Sequence, residues 1–556
     1  MQQERKLKIQ IMETRNTFKG HIVDLVARRI FDGKFNVVDG KVTAITECEV
    51  EASSPYYLPG FVDSHVHIES SMMTPVEFAR IALRHGTIGA VCDPHEIANV
   101  MGVEGIDLML DIARLADFRF AFGMPSCVPS CNKDIETSGF VLDATEVERF
   151  MKRDDIFFLA EMMNFPGVLG GDSEVMAKIA AAKAAGKPVD GHAPGLVGDA
   201  RQQYAAAGIS TDHECTSMET GRAAVASGMI VQIREGSAAK DYNALAPLIS
   251  EAPGQVMFCT DDCHPTDFVR GHLDRIVRRA IADGYDILDI LTAACLTPVK
   301  HYGIPAGLLQ PGDPADFIVL TDLTPHFRVI KTYIDGEKVF SSKGQFTANR
   351  MLERSMLVQK NLVRSMINNF NAQPITCADI ARTPRSMEDI MVASDGSLFT
   401  VHERGPVDSS VQKLVVLDRY SANAKPQVAY IKGFGITCGA VAQSIAHDCH
   451  NIVAVGSDDN ELVRVINRVI EMKGGVAVSD GTDLEDLPLP IAVIISPLCG
   501  HELAFRCTLL DEVIKRAGCQ FHSPFITLAF MCLPVIPQLK LTDKGLFDSE
   551  KFQFVE

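Results

Sequence analysis

The stretch PGFVDSHVHIESSMMTPVEFARIALRHGTIGAVCDPH, residues 59–95, decides the fold. An apolar run, Phe61–Val66, is followed by Thr74, Pro75 and Glu77, which read as N-cap, first-turn proline and capping-box glutamate of a helix. Gly86 stands where a C-terminal glycine ends that helix, and a second apolar run, Ile88–Asp93, follows. Strand, helix, strand is the unit of a parallel sheet, because a parallel return needs a crossover. Further along come Phe118–Gly123, Ile156–Glu161, Pro188–His192, Ile209–His213, Met229–Glu235 and Gln255–Asp261. The alanine-rich segment Val175–Ala185 ends at Gly186, before Pro188 opens a strand. Eight such units in roughly 200 residues predict a closed (β/α)8 barrel of the TIM type over residues 60–298, with its active site at the C-terminal ends of the strands.

Two β-rich pieces flank the barrel. They carry Asn36-Val-Val-Asp-Gly and Tyr333-Ile-Asp-Gly turns and are expected to pair into one small β-domain built from residues 1–59 and 299–345. Residues 350–556 begin with a helical stretch and continue as a C-terminal α+β domain, with glycine-rich turns at 433–439 and 474–475. The predicted class is α/β.

Composition narrows the function. Of 556 residues, 47% are hydrophobic and 22% charged, the balance of a globular enzyme with more than one core. A net charge of −18 opposes binding to nucleic acid or anionic membrane and suits a small neutral or cationic substrate. Fifteen cysteines, odd in number, scattered and without a signal peptide, read as reduced thiols in the cytoplasm. The best apolar run, Phe525–Leu539, is interrupted by Pro534 and Pro537 and is expected to be buried core, not a membrane span.

Polar residues collect at the catalytic end of the expected barrel. His65 and His67 end the first strand, Asp93 and His95 the second, Glu161 the fourth, His192 the fifth and His213 the sixth; Arg234 and Glu235 end the seventh and Asp261 the eighth. The spacing of His65 and His67 puts both imidazoles on one side of a strand. Among 16 histidines such a pair alone carries little weight, and a strand-end histidine is often a hydrogen-bonded rim residue. Four histidines, Glu161 and Asp261 at equivalent positions are what packing has no reason to produce.

Four imidazoles and two carboxylates are too many for one tetrahedral ion and suit two divalent ions bridged by Glu161. The nitrogen and oxygen set accepts Mn2+, Fe2+ or Zn2+. No HxE…PCxxC pattern occurs, which sets aside the zinc deaminase fold used on cytosine. Two ions would bridge a water and supply hydroxide at neutral pH, with Asp261 as proton shuttle. The reaction class is hydrolysis; these residues leave the substrate open.

Pro59-Gly-Phe-Val-Asp-Ser-His-Val-His together with Ala315-Asp-Phe-Ile-Val resembles the amidohydrolase superfamily. Narrower blocks resemble bacterial adenine deaminases: Asp93-Pro-His-Glu-Ile-Ala-Asn-Val, Ala160-Glu-Met-Met-Asn-Phe-Pro-Gly-Val, Gly191-His-Ala-Pro-Gly and Phe258-Cys-Thr-Asp-Asp-Cys-His-Pro. Ala446-His-Asp-Cys-His-Asn and the block from Leu533 to Asp548 extend the likeness towards the C-terminus. The resemblance implies a binuclear metal site at His65, His67, Glu161, His192, His213 and Asp261, and conversion of adenine and water to hypoxanthine and ammonia in purine salvage. Residues 1–20 and about 491–510 depart from it.

Further candidates lie around this set. His95 and Glu96 are expected to contact the purine or hold a further ion, against the bland reading of a rim loop shaped by Pro94. Arg234 and Glu235 offer groups to ring nitrogens, against a structural clamp. His447, Asp448 and His450 are expected to reach the barrel mouth if the C-terminal domain folds over it, against a satisfied turn within that domain. Rival functions are a cyclic amide hydrolase, which resembles its relatives in using a carboxylated lysine where this chain has Glu161; an acylamino-sugar deacetylase, for which no basic phosphate pocket is evident; and a scaffold that has lost catalysis. The expected partners are a small purine and further copies of the chain, as a dimer or higher oligomer.

Overall fold

The computed structural model describes residues 15–343, 368–395 and 397–555. The barrel strands are β1 (Phe61–His67), β2 (Thr87–Cys92), β3 (Arg119–Met124), β4 (Ile156–Met162), β5 (Val189–Gly191), β6 (Thr211–Asp212), β7 (Ile230–Arg234) and β8 (Val256–Cys259). β1 to β5 pair in parallel order, as do β6 to β8. A parallel bridge between Val189 and Ile209 joins the two runs. Beyond β8, Asp261 and Asp262 pair with Val66 and His67 and close the ring. β1 and β2 are buried at every position, which is why they read as continuous runs rather than alternating ones.

The intervening helices follow their local signals, with one exception. Ser173–Ala184 is capped by Asp172, whose carboxylate accepts from the Glu174 and Val175 amides, each at 3.0 Å, and Gly186 turns the chain out at φ 67°. In Pro75–Ala82 the capping box does not form, because the Thr74 side chain makes no cap bond. Glu77 instead accepts from Arg80 Nε at 2.9 Å and from the Gly500 amide at 3.0 Å. A buried carboxylate is better served by a guanidinium and the free amide of another helix's first turn than by its own N-terminus. That second helix, Gly500–Arg516, lies in the C-terminal region, and the Ser496 amide before it bonds Met72 O at 2.8 Å.

Both flanks enter one seven-stranded sheet, in the order 337–341, 329–334, 317–320, 56–58, 15–24, 29–38 and 41–47. Asp39–Gly40 and Asp335–Gly336 all have positive φ, as two-residue hairpin turns of this kind require. The C-terminal region builds an eight-stranded mixed sheet within residues 388–488, with the helix Asp459–Met472 packed on it, and a three-stranded sheet, Leu539–Thr542, Gly545–Asp548 and Gln553–Phe554. The helical stretch expected from residue 350 falls largely outside the described residues.

This C-terminal region, the cap, sits over the catalytic end of the barrel. Asp543 accepts from the Thr137 amide at 2.8 Å, and Asn451 donates to Thr137 O at 3.1 Å. Within the cap Phe525–Leu539 is mostly buried, as expected of core, and among the described residues no helix is long and apolar enough to cross a membrane. All fifteen cysteines are free.

Candidate metal centre

Glu161, at the end of β4, stands between two groups of imidazoles. Its Oε1 lies 3.3 Å from His67 Nε2, 3.9 Å from His65 Nε2 and 3.6 Å from His95 Nδ1. Its Oε2 lies 2.7 Å from His192 Nδ1 and 3.2 Å from His213 Nε2. Asp261 completes the set, with Oδ1 at 3.5 and 3.2 Å from the same His65 and His67 nitrogens. Strand ends account for this convergence: β1 delivers His65 and His67 on one face, and His192 and His213 lie just past the paired residues of β5 and β6. Asp261 adopts φ 56° where the chain leaves β8, which turns its carboxylate inward.

All six are buried, and several nitrogens have no hydrogen-bond partner: both of His65, Nε2 of His192 and Nδ1 of His213. Buried orphaned donors and acceptors cost free energy unless a ligand satisfies them. Burial alone would raise the Glu161 carboxyl, yet the imidazoles of His213, His192 and His67 hold it well below the usual carboxylate range. Asp261 behaves alike, burial being outweighed by His65 and His67. In the same exchange His67, which burial would lower, is raised well above its ordinary value by hydrogen bonds to Asp261 and Glu161. Imidazole protons thus stand where cations would bring the same anions and nitrogens together. The set fits a divalent metal centre; groups such as His65, Glu161 and His213, or His65, His67 and Asp261, place their donor atoms within 4.8 Å of one another.

The remaining candidates divide. His95 joins the centre, with Nδ1 3.2 Å from Asp93 Oδ2 and Nε2 3.3 Å from Asp448 Oδ1, so the cap does reach the barrel mouth. Arg234 donates to Asp241 at 2.8 Å, to Asp261 Oδ2 at 3.1 Å and to Glu214. Glu235 is not brought to the centre and pairs with Arg279 at 3.0 Å. Glu96, His447 and His450 gather beside the centre, with Glu96 Oε1 3.6 Å from His447 Nδ1 and Glu96 Oε2 3.6 Å from His450 Nε2.

Sequence reasoning missed Glu214 and the apolar wall. Glu214 Oε1 lies 3.8 Å from His192 Nδ1 and 3.7 Å from His213 Nε2; its signal was its place directly after a strand-end histidine. Met163 from the barrel and Leu398, Phe530, Leu533 and Ile536 from the cap line a cavity over the centre.

Comparison with known proteins shows the family. The amidohydrolase family model matches residues 56–339 and the adenine deaminase C-terminal domain model residues 388–553. The chain is 46% identical to an adenine deaminase of Salinibacter ruber, over 97% of this chain and 98% of that one. It is 46% identical to an adenine deaminase of Parabacteroides distasonis, over 96% and 97%, and 44% identical to one of Methanosarcina mazei, over 97% and 99%. On its site, its two matched regions and this near full-length likeness, the chain belongs to the adenine deaminase family of amidohydrolases.

Proposed function

We propose that this chain hydrolyses adenine to hypoxanthine and ammonia at a centre of two divalent ions, Mn2+ or Fe2+ in preference to Zn2+. The observation that carries the reading is the placement of Glu161, one carboxylate oxygen towards His65 and His67 and the other towards His192 and His213, in a chain of this family. His65, His67, His192, His213 and Asp261 would hold the ions, with Glu161 between them. When bound, two such ions acidify a water and draw charge from the reacting ring.

The chain's own residues supply the rest. Arg234 fixes one oxygen of Asp261, leaving the other, which faces the histidines, free to carry a proton from the attacking water towards the departing amine. Asp93 and Asp448 hold His95 from opposite sides, fixing its ring at the mouth, where it stabilises developing charge on the purine. Met163, Leu398, Phe530, Leu533 and Ile536 form the slot for the flat ring and keep bulk water out.

We further propose that the barrel occupies residues 60–298, that 1–59 and 299–345 form one flanking β-domain, and that 350–556 form the cap. The enzyme would act in cytoplasmic purine salvage, as an assembly of identical subunits. The test is ammonia release and the ultraviolet change from adenine to hypoxanthine, with metal-stripped protein reloaded with Mn2+. A metal-dependent signal is expected. Silence with manganese demonstrably bound would overturn the adenine reading and favour another aminopurine or a cyclic amide.

A further inference from the structure

Behind the cavity wall, on the strand Leu539–Thr542, stands a lysine outside the metal centre. Lys540 is fully buried, at 0% exposure. Its Nζ donates to Leu398 O at 2.7 Å and to Phe530 O at 2.8 Å. Both partners are backbone carbonyls rather than carboxylates, and burial pushes the ammonium down to about 7. A deprotonated amine keeps two N–H donors, one for each carbonyl. An amine buried without a counter-anion costs free energy that an apolar side chain at the same place would not.

The two carbonyls belong to the wall. Leu398 and Phe530 both line the cavity over the centre, and they come from segments far apart in the chain. Phe530 caps the end of the helix Pro524–Ala529, where carbonyls lack partners within the helix. Leu398 lies between the strands Glu388–Val392 and Val401–Gly405. The Phe530 ring stacks on His447, with centroids 4.3 Å apart and planes 21° from parallel, and His447 lines the same cavity. One amine thus fixes the backbone of two wall residues and, through the second, supports a third. The Leu398 loop has other ties: Thr400 donates its amide to Pro537 O at 3.0 Å and its hydroxyl to Leu539 O at 2.7 Å. Those bonds sew the loop to the neighbouring strand, but neither reaches Phe530.

We infer that Lys540 is a positioning residue, which ties Leu398 to Phe530 and so sets the separation of the cap side chains that hold the flat substrate ring. The substrate used to test it rests on the adenine reading; the tie itself does not. Because the amine grips the wall and not the centre, its loss should weaken substrate and transition state alike and spare the chemical step.

The experiment compares the wild type with Lys540→Met, which keeps the apolar stem and removes the amine, both as full-length protein reloaded with Mn2+. KM for adenine is expected to rise roughly tenfold or more while kcat stays within about threefold. Manganese per chain should not change. A residue that only stabilises the fold would lower the melting temperature and leave KM at the wild-type value wherever the variant is folded, and that result would overturn the inference. So would a fall in kcat with KM unchanged. Lys540→Gln, whose amide nitrogen stops one bond short of the two carbonyls, should raise KM in the same direction and decides alone if Lys540→Met does not fold. If neither folds, Lys540 holds up the fold rather than the wall, and the inference is lost. Wild-type protein that binds manganese and leaves adenine unchanged would instead sink the adenine reading. Hydrogen exchange then decides the tie: amides of residues 398–401 and 530–533 should exchange faster in the variant, and unchanged exchange in both segments would overturn it.

Discussion

Barrel and cap approach the same cavity with different chemistry and from different kinds of backbone. The barrel's groups stand on strand ends paired into a closed sheet, so Glu161, His65 and His67 are held by the ladder itself. The cap's groups stand on connections: His447 and Asp448 lie between the strands Ala440–Gln443 and Ile452–Gly456, and Phe530 to Ile536 between a short helix and the strand Leu539–Thr542. Groups that must keep fixed spacing sit on rigid elements, and groups that must admit and enclose a ligand sit on loops. The carboxylates differ in the same way. Glu161 and Asp261 are held ionised by the imidazoles around them, whereas Glu136, in the seam beneath the cap, is pushed up to about 8 by burial.

The largest effect should follow from the barrel. Glu161→Gln removes the anion between the two histidine groups, and activity should fall on the order of 10³-fold or more, with loss of one bound ion. An inactive variant that keeps its full metal content would separate catalysis from metal holding and break the assignment. A change in the cap should cost less. Asp448→Asn leaves His95 bound to Asp93 and weakens only the outer partner, so a fall in kcat/KM of roughly 10- to 100-fold with metal content intact is expected. A loss as deep as that of Glu161→Gln would erase the distinction between the two regions.

How much of this could be read from the chain follows from where each group stands. Strands buried on both faces announce themselves as apolar runs, and in a barrel their C-terminal residues face the site; hence the legibility of His65, His67, Glu161, His192, His213 and Asp261 as a set. The wall was illegible because Leu398, Phe530, Leu533 and Ile536 look like any core residues until the cap is docked. Asp262 and Glu214 adjoin more conspicuous residues, and contacts from sequence-distant positions, Ser70 and Arg234 among them, bring them in. Glu77 carried a correct helix signal and was claimed instead by Gly500, 423 positions away.

The seam offers a test that reads stability rather than rate. Glu136 accepts from the Ser130 hydroxyl and, at 3.3 Å, from the Cys131 amide, while its other oxygen has no partner. An unfolded glutamate ionises near pH 4.5, but the folded one keeps its proton to about pH 8. Between those values the folded state binds more protons, so this group's contribution to stability falls as pH rises. Glu136→Gln keeps the shape and has no proton to lose. Its melting temperature should match or trail the wild type near pH 5 and exceed it by several degrees at pH 8.5. Parallel curves across that range would mean that Glu136 is ionised like the carboxylates of the centre.

The smallest effect belongs to Glu235, where sequence position and structure part. Successive residues on a strand point to opposite sides, so Arg234 and Glu235 at the end of β7 cannot both enter the barrel mouth. Arg234 takes the inner place, between Glu214 and Asp261. Glu235 turns outward to a partly exposed pair with Arg279, a contact worth at most about 1 kcal/mol. Glu235→Gln should therefore leave kcat/KM and metal content unchanged. A tenfold fall in kcat/KM would require the β7 end to present both side chains to the purine, and the strand end would then have to give up the alternation that puts His65 and His67 on one face of β1.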